Sequence, residues 1–90
     1  MRSGKKLPSK NFILFVKKSK FPFHRLGIVV SKEVGSAAYR NRTKRLLREF
    51  FRLHKHEIRG ALDIVVLVKR GCGVKGYAET AEELGRMLIS

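Results

Sequence analysis

The sequence predicts an α+β domain, a small two-layer sandwich in which helices cover one face of a single sheet and leave the other face bare. Three observations carry this reading. Residues 11–17 and 25–31 alternate side chains with a period of two. Residues 37–59, wound at about 100° per residue, separate into an apolar face and a cationic one. The run Ile64–Val68 is aliphatic throughout, as a hydrophobic central strand would be. Ninety residues make one domain and leave no room for a second, so the expected unit is residues 1–90.

Taken in order, residues 1–10 are polar, contain Gly4 and Pro8, and read as a flexible basic arm. Asn11–Lys17 is a strand with Phe12, Leu14 and Val16 on the side suited to burial; Asn11, Ile13, Phe15 and Lys17 take the other, where they could line a groove. Lys18–Pro22 forms a basic loop. Arg25–Ser31 is a second strand, with Leu26, Ile28 and Val30 on one side and the smaller Gly27, Val29 and Ser31 on the other, leaving space for a ligand.

Ser36 is the expected N-cap of the first helix and Gly60 its end. On that helix Tyr39, Thr43, Leu46, Leu47, Phe50, Phe51 and Leu53 fall in a sector of roughly 160°. Asn41, Lys44, Arg45, Arg48, Arg52, Lys55 and Arg59 occupy roughly 100° opposite. Ala61–Val68 is the central strand. Tyr77–Leu88 is a second helix with Ala81, Leu84 and Leu88 on a common side and Glu79, Glu82 and Glu83 toward solvent. The order strand, strand, helix, strand, helix gives a sheet whose uncovered side is the place for a ligand.

The charge balance narrows the partner. Lys and Arg number 21 against 7 Asp and Glu, a net charge of +14. Residues 1–60 hold 17 of the basic and 3 of the acidic side chains, so the excess belongs to the first two thirds. A solvated helix face ordinarily mixes signs to gain pairing four residues apart; this one carries almost no acid and repels itself. Its cations also crowd the helix start, where the macrodipole makes each cost about 0.3–1 kcal/mol. A bound phosphate would offset both effects. Sulfate, phosphate or RNA should therefore raise the melting temperature, and a midpoint that ignores added sulfate in a thermal scan would sink the idea. A membrane-surface peptide would carry its apolar face on a free helix, whereas strands flank this one, so nucleic acid is the better partner.

Other chemistries lose ground. Cys72 is the only cysteine, which leaves no disulfide framework and fits a reducing, cytoplasmic location. No apolar run is long enough for a membrane span or signal peptide, so no membrane partner is expected. His54 and His56, two apart on a helix, point to different faces and make a poor metal pair. No carboxylates stand at a catalytic spacing, and Asp63 reads as a strand-edge residue rather than a base. Two strands precede the basic helix where a helix-turn-helix would place another helix, so DNA is not the expected partner.

The segments Arg25-Leu-Gly-Ile-Val-Val-Ser-Lys-Glu-Val-Gly35, Ala38-Tyr-Arg-Asn-Arg-Thr-Lys-Arg-Leu-Leu-Arg-Glu49 and Asp63-Ile-Val-Val-Leu-Val together resemble the protein component of bacterial ribonuclease P. The resemblance covers about residues 11–90, and the Arg-Asn-Arg-x-Lys-Arg-x-x-Arg spacing after the Ser-Lys-x-Val-Gly strand end is far more distinctive than a generic basic helix. It implies one mixed sheet of the kind seen in the second domain of ribosomal protein S5, with a left-handed β-α-β crossover against the usual right-handed rule. It also implies a subunit that binds a large catalytic RNA and the 5′ leader of precursor tRNA and assists removal of that leader. In such a complex the RNA holds the catalytic Mg2+ ions; the protein binds no cofactor itself and supplies no catalytic residue.

Residue by residue, Arg40, Asn41, Arg42, Lys44, Arg45 and Arg48 match the motif implied to face the catalytic RNA, with Arg52 and Lys32 beside it. Arginine forks grip phosphates in pairs of hydrogen bonds, Lys44 adds a point charge, and Asn41 both donates and accepts. Phe15, with Lys69 or Arg70, falls where the resemblance implies a groove for the single-stranded leader, an aromatic face for bases and cations for the backbone. The family also implies a longer N-terminal segment, whose helix walls that groove with aromatic residues. This sequence begins almost at its first strand, so a groove lacking that wall is expected. A ribosomal or ribosome-assembly RNA-binding module of similar sandwich fold is the alternative that charge and helix alone leave open.

Overall fold

The computed structural model describes residues 4–58 and 60–89. Four strands, β1 (Gly4–Pro8), β2 (Phe12–Lys18), β3 (Arg25–Val29) and β4 (Leu62–Val68), form one mixed sheet in the order β1-β2-β4-β3. β2 runs antiparallel to both β1 and β4, while β3 lies parallel to β4 and reaches it through helix α1 (Ala37–His54). Helix α2 (Tyr77–Leu88) follows β4.

β1 corrects the expectation of a flexible arm over residues 1–10. Positions 4–8 pair with β2 from Gly4 opposite Lys17 to Pro8 opposite Ile13, and residues 1–3 lie outside the described part. The physical reason is the bare edge of β2, whose unpaired amides and carbonyls a short strand can satisfy, while Leu7 adds its side chain to the core beside Leu14. Exposed Lys5 and Lys6 suit an edge strand, as does Pro8 at its end.

β4 is the central strand the aliphatic run predicts, and the register explains the layering. Phe12 and Leu14 of β2 and Ile64, Val66 and Val68 of β4 are buried against Leu47, Phe50 and Phe51 of α1 and Leu84 of α2. Thr43 is buried in the same helix face because its hydroxyl donates to the Tyr39 carbonyl at 2.9 Å, which satisfies it without leaving the helix. Leu53, placed in the apolar sector by its angle, is instead half exposed at the far end of α1.

Ser36 caps α1, its hydroxyl accepting from the Tyr39 amide at 3.2 Å. The helix stops at His54, earlier than the predicted Arg59. A 3-10 turn at Lys55–Glu57 follows, Ile58 drops into the core, and Gly60 reverses the chain at φ 72°, in the left-handed region that favours glycine. Arg59 lies outside the described residues. β3 likewise ends at Val29 rather than Ser31, because Lys32–Val34 turn so as to bury Val34.

A network between the β1–β2 turn and α2 also departs from expectation. Glu83, read as solvent-facing, accepts from the Asn11 amide at 2.8 Å, the Asn11 side chain at 2.7 Å and the Ser9 hydroxyl. Asn11 is itself buried, and its side-chain oxygen accepts from the Gly73 amide at 3.0 Å. Tyr39 fastens the same loop to α1, its hydroxyl lying 3.2 Å from the Cys72 carbonyl and 3.3 Å from that of Val74.

Candidate RNA interface

Two surfaces collect the basic residues, and they lie on different parts of the fold. The first is the side of α1 turned away from the sheet. Asn41, Arg45, Arg48 and Arg52 are exposed there and Lys44 is half-buried, while exposed Arg42 and half-buried Arg40 flank that side. Lys32 stands exposed on the turn that precedes the helix.

Their partners sort these cations. Arg52 is held by Glu49 through two hydrogen bonds of 2.8 and 2.9 Å, and Arg42 donates to the carbonyl of Lys75. Arg40, Lys44, Arg45 and Arg48 have no acidic partner among the described residues, and the Nε of Arg40 is buried without a hydrogen bond. The first turn of α1 carries no acid either. The helix thus presents unneutralised guanidinium groups along its length, Arg40 among them close to the positive end, an arrangement a phosphate backbone would satisfy.

The second surface is the face of the sheet opposite the helices. Strand register puts Lys6, Phe15, Val65 and Gly27 in one row across it, with Phe15 half-buried and Val65 exposed. Gly27 contributes no side chain, so the floor stays level from Val65 toward the edge at β3. The next row is Gly4, Lys17, Asp63 and Arg25. Asp63 sits near the start of the central strand, where Arg25 grips it through two bonds of 2.8 and 2.7 Å and so holds its carboxyl below the usual carboxylate range. With its one acid spoken for, this face remains cationic. Phe15 is therefore on the open face rather than in the core.

The other groove residues are less closely grouped. Lys69 follows β4 by one position and donates from Nζ to the Ser9 carbonyl at 3.1 Å, four strand positions beyond Val65, or about 13 Å along the chain. Arg70 is exposed on the next loop. Sequence reading misses Lys6, whose place beside Phe15 follows only from the pairing of β1.

The remaining polar groups are structural. His54 pairs with Glu57 and lies against Phe50, ring centres 4.7 Å apart. Among the described residues no group of three or more His, Cys, Asp or Glu is placed to hold a metal ion, and no helix is long and apolar enough to cross a membrane.

Comparison with known proteins gives one answer at three levels. The family model described as Ribonuclease P matches residues 1–90. The ribonuclease P protein component of Syntrophus aciditrophicus is 42% identical over 85 residues, covering 94% of this chain and 71% of that protein. That of Oleidesulfovibrio alaskensis is 47% identical over 70 residues, covering 76% of this chain and 56% of its own length. The solved ribonuclease P protein of Thermotoga maritima, in complex with a fluorophenyl thiourea, superposes with a TM-score of 0.83 at 32% identity, over 97% of this chain and 85% of that one. A Staphylococcus aureus ribonuclease P protein mutant gives 0.84 at 31% identity, over 94% and 72%. Family model, sequence identity and backbone all agree with the basic helix and the open sheet, and the chain belongs to the ribonuclease P protein family.

Proposed function

We propose that this chain works as the protein subunit of ribonuclease P, holding the catalytic RNA on α1 and the 5′ leader of precursor tRNA on the open face of the sheet. The observation that carries the reading is the set of unneutralised cations on α1, Arg40, Lys44, Arg45 and Arg48, in a member of this family. A ribosomal module would explain the charge but not the family membership.

In this reading the bond-breaking chemistry belongs to the RNA and its Mg2+ ions. The protein acts by position: guanidinium forks from Arg42, Arg45 and Arg48 fix the RNA backbone, with Arg52, Lys32 and Asn41 at the margin. The row through Phe15 offers an aromatic face to a leader base, and Lys6, Lys17 and Lys69 offer charge to its phosphates. Stacking tolerates any base, which suits a leader of variable sequence.

The test is cleavage of a precursor tRNA by a bacterial ribonuclease P RNA at low magnesium, with and without the protein. Stimulation is expected. Tight RNA binding without stimulation would remove the leader from the reading, and absence of RNA binding would overturn it. Phe15→Ala should weaken binding of leader-bearing substrate by roughly 1–3 kcal/mol and leave mature tRNA and the catalytic RNA unaffected, as filter binding of the assembled enzyme would show. Equal weakening with and without a leader would show that Phe15 does not stack on it.

A further inference from the structure

The turn joining β2 to β3 carries two large aromatic side chains that the core does not use. Phe21 and Phe23 are 44% and 55% exposed. Their rings are stacked, centres 5.3 Å apart and planes within 13°. The guanidinium of Arg25 lies over Phe21, 4.9 Å from its centre, and is itself anchored to Asp63. The turn is held from within by the Phe21 amide donating to the Ser19 hydroxyl at 3.1 Å. Two exposed rings fixed in parallel gain little from each other compared with what their faces lose to water, so a flat partner would complete them.

Charge says what kind of partner. The turn contains Lys20 and no acid, and Lys18 ends the strand that enters it. Phe23 borders an open cleft of about 390 Å³ whose other walls include His24, Lys55 and His56, and among the described residues no acid lines it. His24 accepts the Leu62 amide on Nδ1 at 3.0 Å, which leaves its Nε2 as the ring nitrogen that can donate. A second copy of this chain, at +14, would bring repulsion to such a surface. A base with its phosphates would bring an aromatic face and negative charge together.

Resting on the leader reading above, we propose that this turn is a second contact for single-stranded RNA, with an unpaired base stacked on Phe23 and its phosphates beside Lys20 and Lys55. Continuity supports it. Arg25 lies on the same open face as Phe15, one row along the sheet and two strands across, about 12 Å from strand rise and spacing together. A strand crossing Phe15 in that direction passes Arg25 and arrives at Phe21 and Phe23.

The chain has no tryptophan, so Phe23→Trp and Phe15→Trp each install a single tryptophan, excited apart from the two tyrosines at the red edge of absorption. Labelled oligouridylates of about four and about twelve nucleotides, bracketing a short and a long single-strand site, are titrated by anisotropy while tryptophan emission is read. In the Phe23→Trp variant the longer oligomer should quench emission and the shorter one should not, whereas in Phe15→Trp both should quench. Phe23→Ala should weaken the longer oligomer by roughly 5- to 100-fold and leave the shorter unchanged. Quenching at position 15 alone, or a Phe23→Ala variant that binds the longer oligomer normally, overturns this inference and leaves the sheet-face reading standing. Binding that quenches neither position, or no binding, overturns both. Sedimentation that finds a dimer abolished only in Phe23→Ala, with RNA affinity unchanged, would assign the turn to self-association instead.

Discussion

Arg45→Ala combined with Arg48→Ala is expected to cost on the order of 10²- to 10⁴-fold in affinity for ribonuclease P RNA at low salt, since each side chain would lose charge-assisted bonds of about 1.5–3 kcal/mol. The slope of log affinity against log salt should also fall by roughly 1.4–2, or 0.7–1 for each phosphate no longer gripped. Folding should not suffer. Both side chains are exposed and lack an acidic partner among the described residues, and they stand three apart on one helix face with Lys44 four residues before Arg48. Removing them relieves repulsion, so the thermal midpoint should hold or rise while RNA affinity collapses. Arg52→Ala serves as the internal comparison: already bonded to Glu49, it should change the slope less than either of the others. Filter binding over a salt series together with a thermal scan decides the matter; an unchanged slope in the double variant would move the RNA surface off this helix.

That opposition of stability and binding is legible in the sequence, because it rests on residue types at helical spacing. Ser36 as a cap, α1 with its buried Leu47 and Phe50, the central strand β4 and the bounds of α2 follow from period and capping chemistry that act locally. What stays hidden depends on pairing at long range. β1 has too few apolar residues to declare itself, and only the vacant edge of β2 makes it a strand. Lys6 is therefore invisible in the sequence as a neighbour of Phe15. Nothing local halts α1 at His54; the requirement to bury Ile58 does. The basic face itself is readable from residue types, but which cations are already engaged, Arg42 by a loop carbonyl and Arg52 by Glu49, is a property of rotamers and neighbours. Glu83 is the instructive failure. By helical angle it belongs with Glu79 and Glu82, and its true partner lies 72 positions earlier in the chain.

Replacing Glu83 with alanine should lower the unfolding free energy by roughly 3–5 kcal/mol, since the amide and side-chain amide of buried Asn11 would lose their acceptor together. For a domain of 90 residues whose whole stability is about 5–13 kcal/mol, that is a large fraction. Asn11→Ala should cost a similar amount, and the double variant much less than the sum, because either change breaks the same network. Desolvation alone would raise the pKa of Glu83, but the hydrogen bonds from Ser9 and Asn11 outweigh it and hold the carboxyl below its ordinary value. A carboxyl depressed in the folded state stabilises fully above its unfolded pKa, about 4.3, and that stabilisation fades as pH falls through the lower folded value. Urea unfolding should accordingly show wild type losing stability toward Glu83→Gln as pH drops from about 6 to about 3. A constant gap between the two would mean that Glu83 does not act through its charge. The network also fixes the loop that carries Lys69 and Arg70, through the Asn11 carbonyl accepting the Lys69 amide at 2.9 Å and its side chain accepting that of Gly73. Substitution at Glu83 should thus weaken leader binding before the fold is lost, an effect absent from Arg86→Ala, where the residue removed pairs, among the described residues, with exposed Glu82 on the same helix.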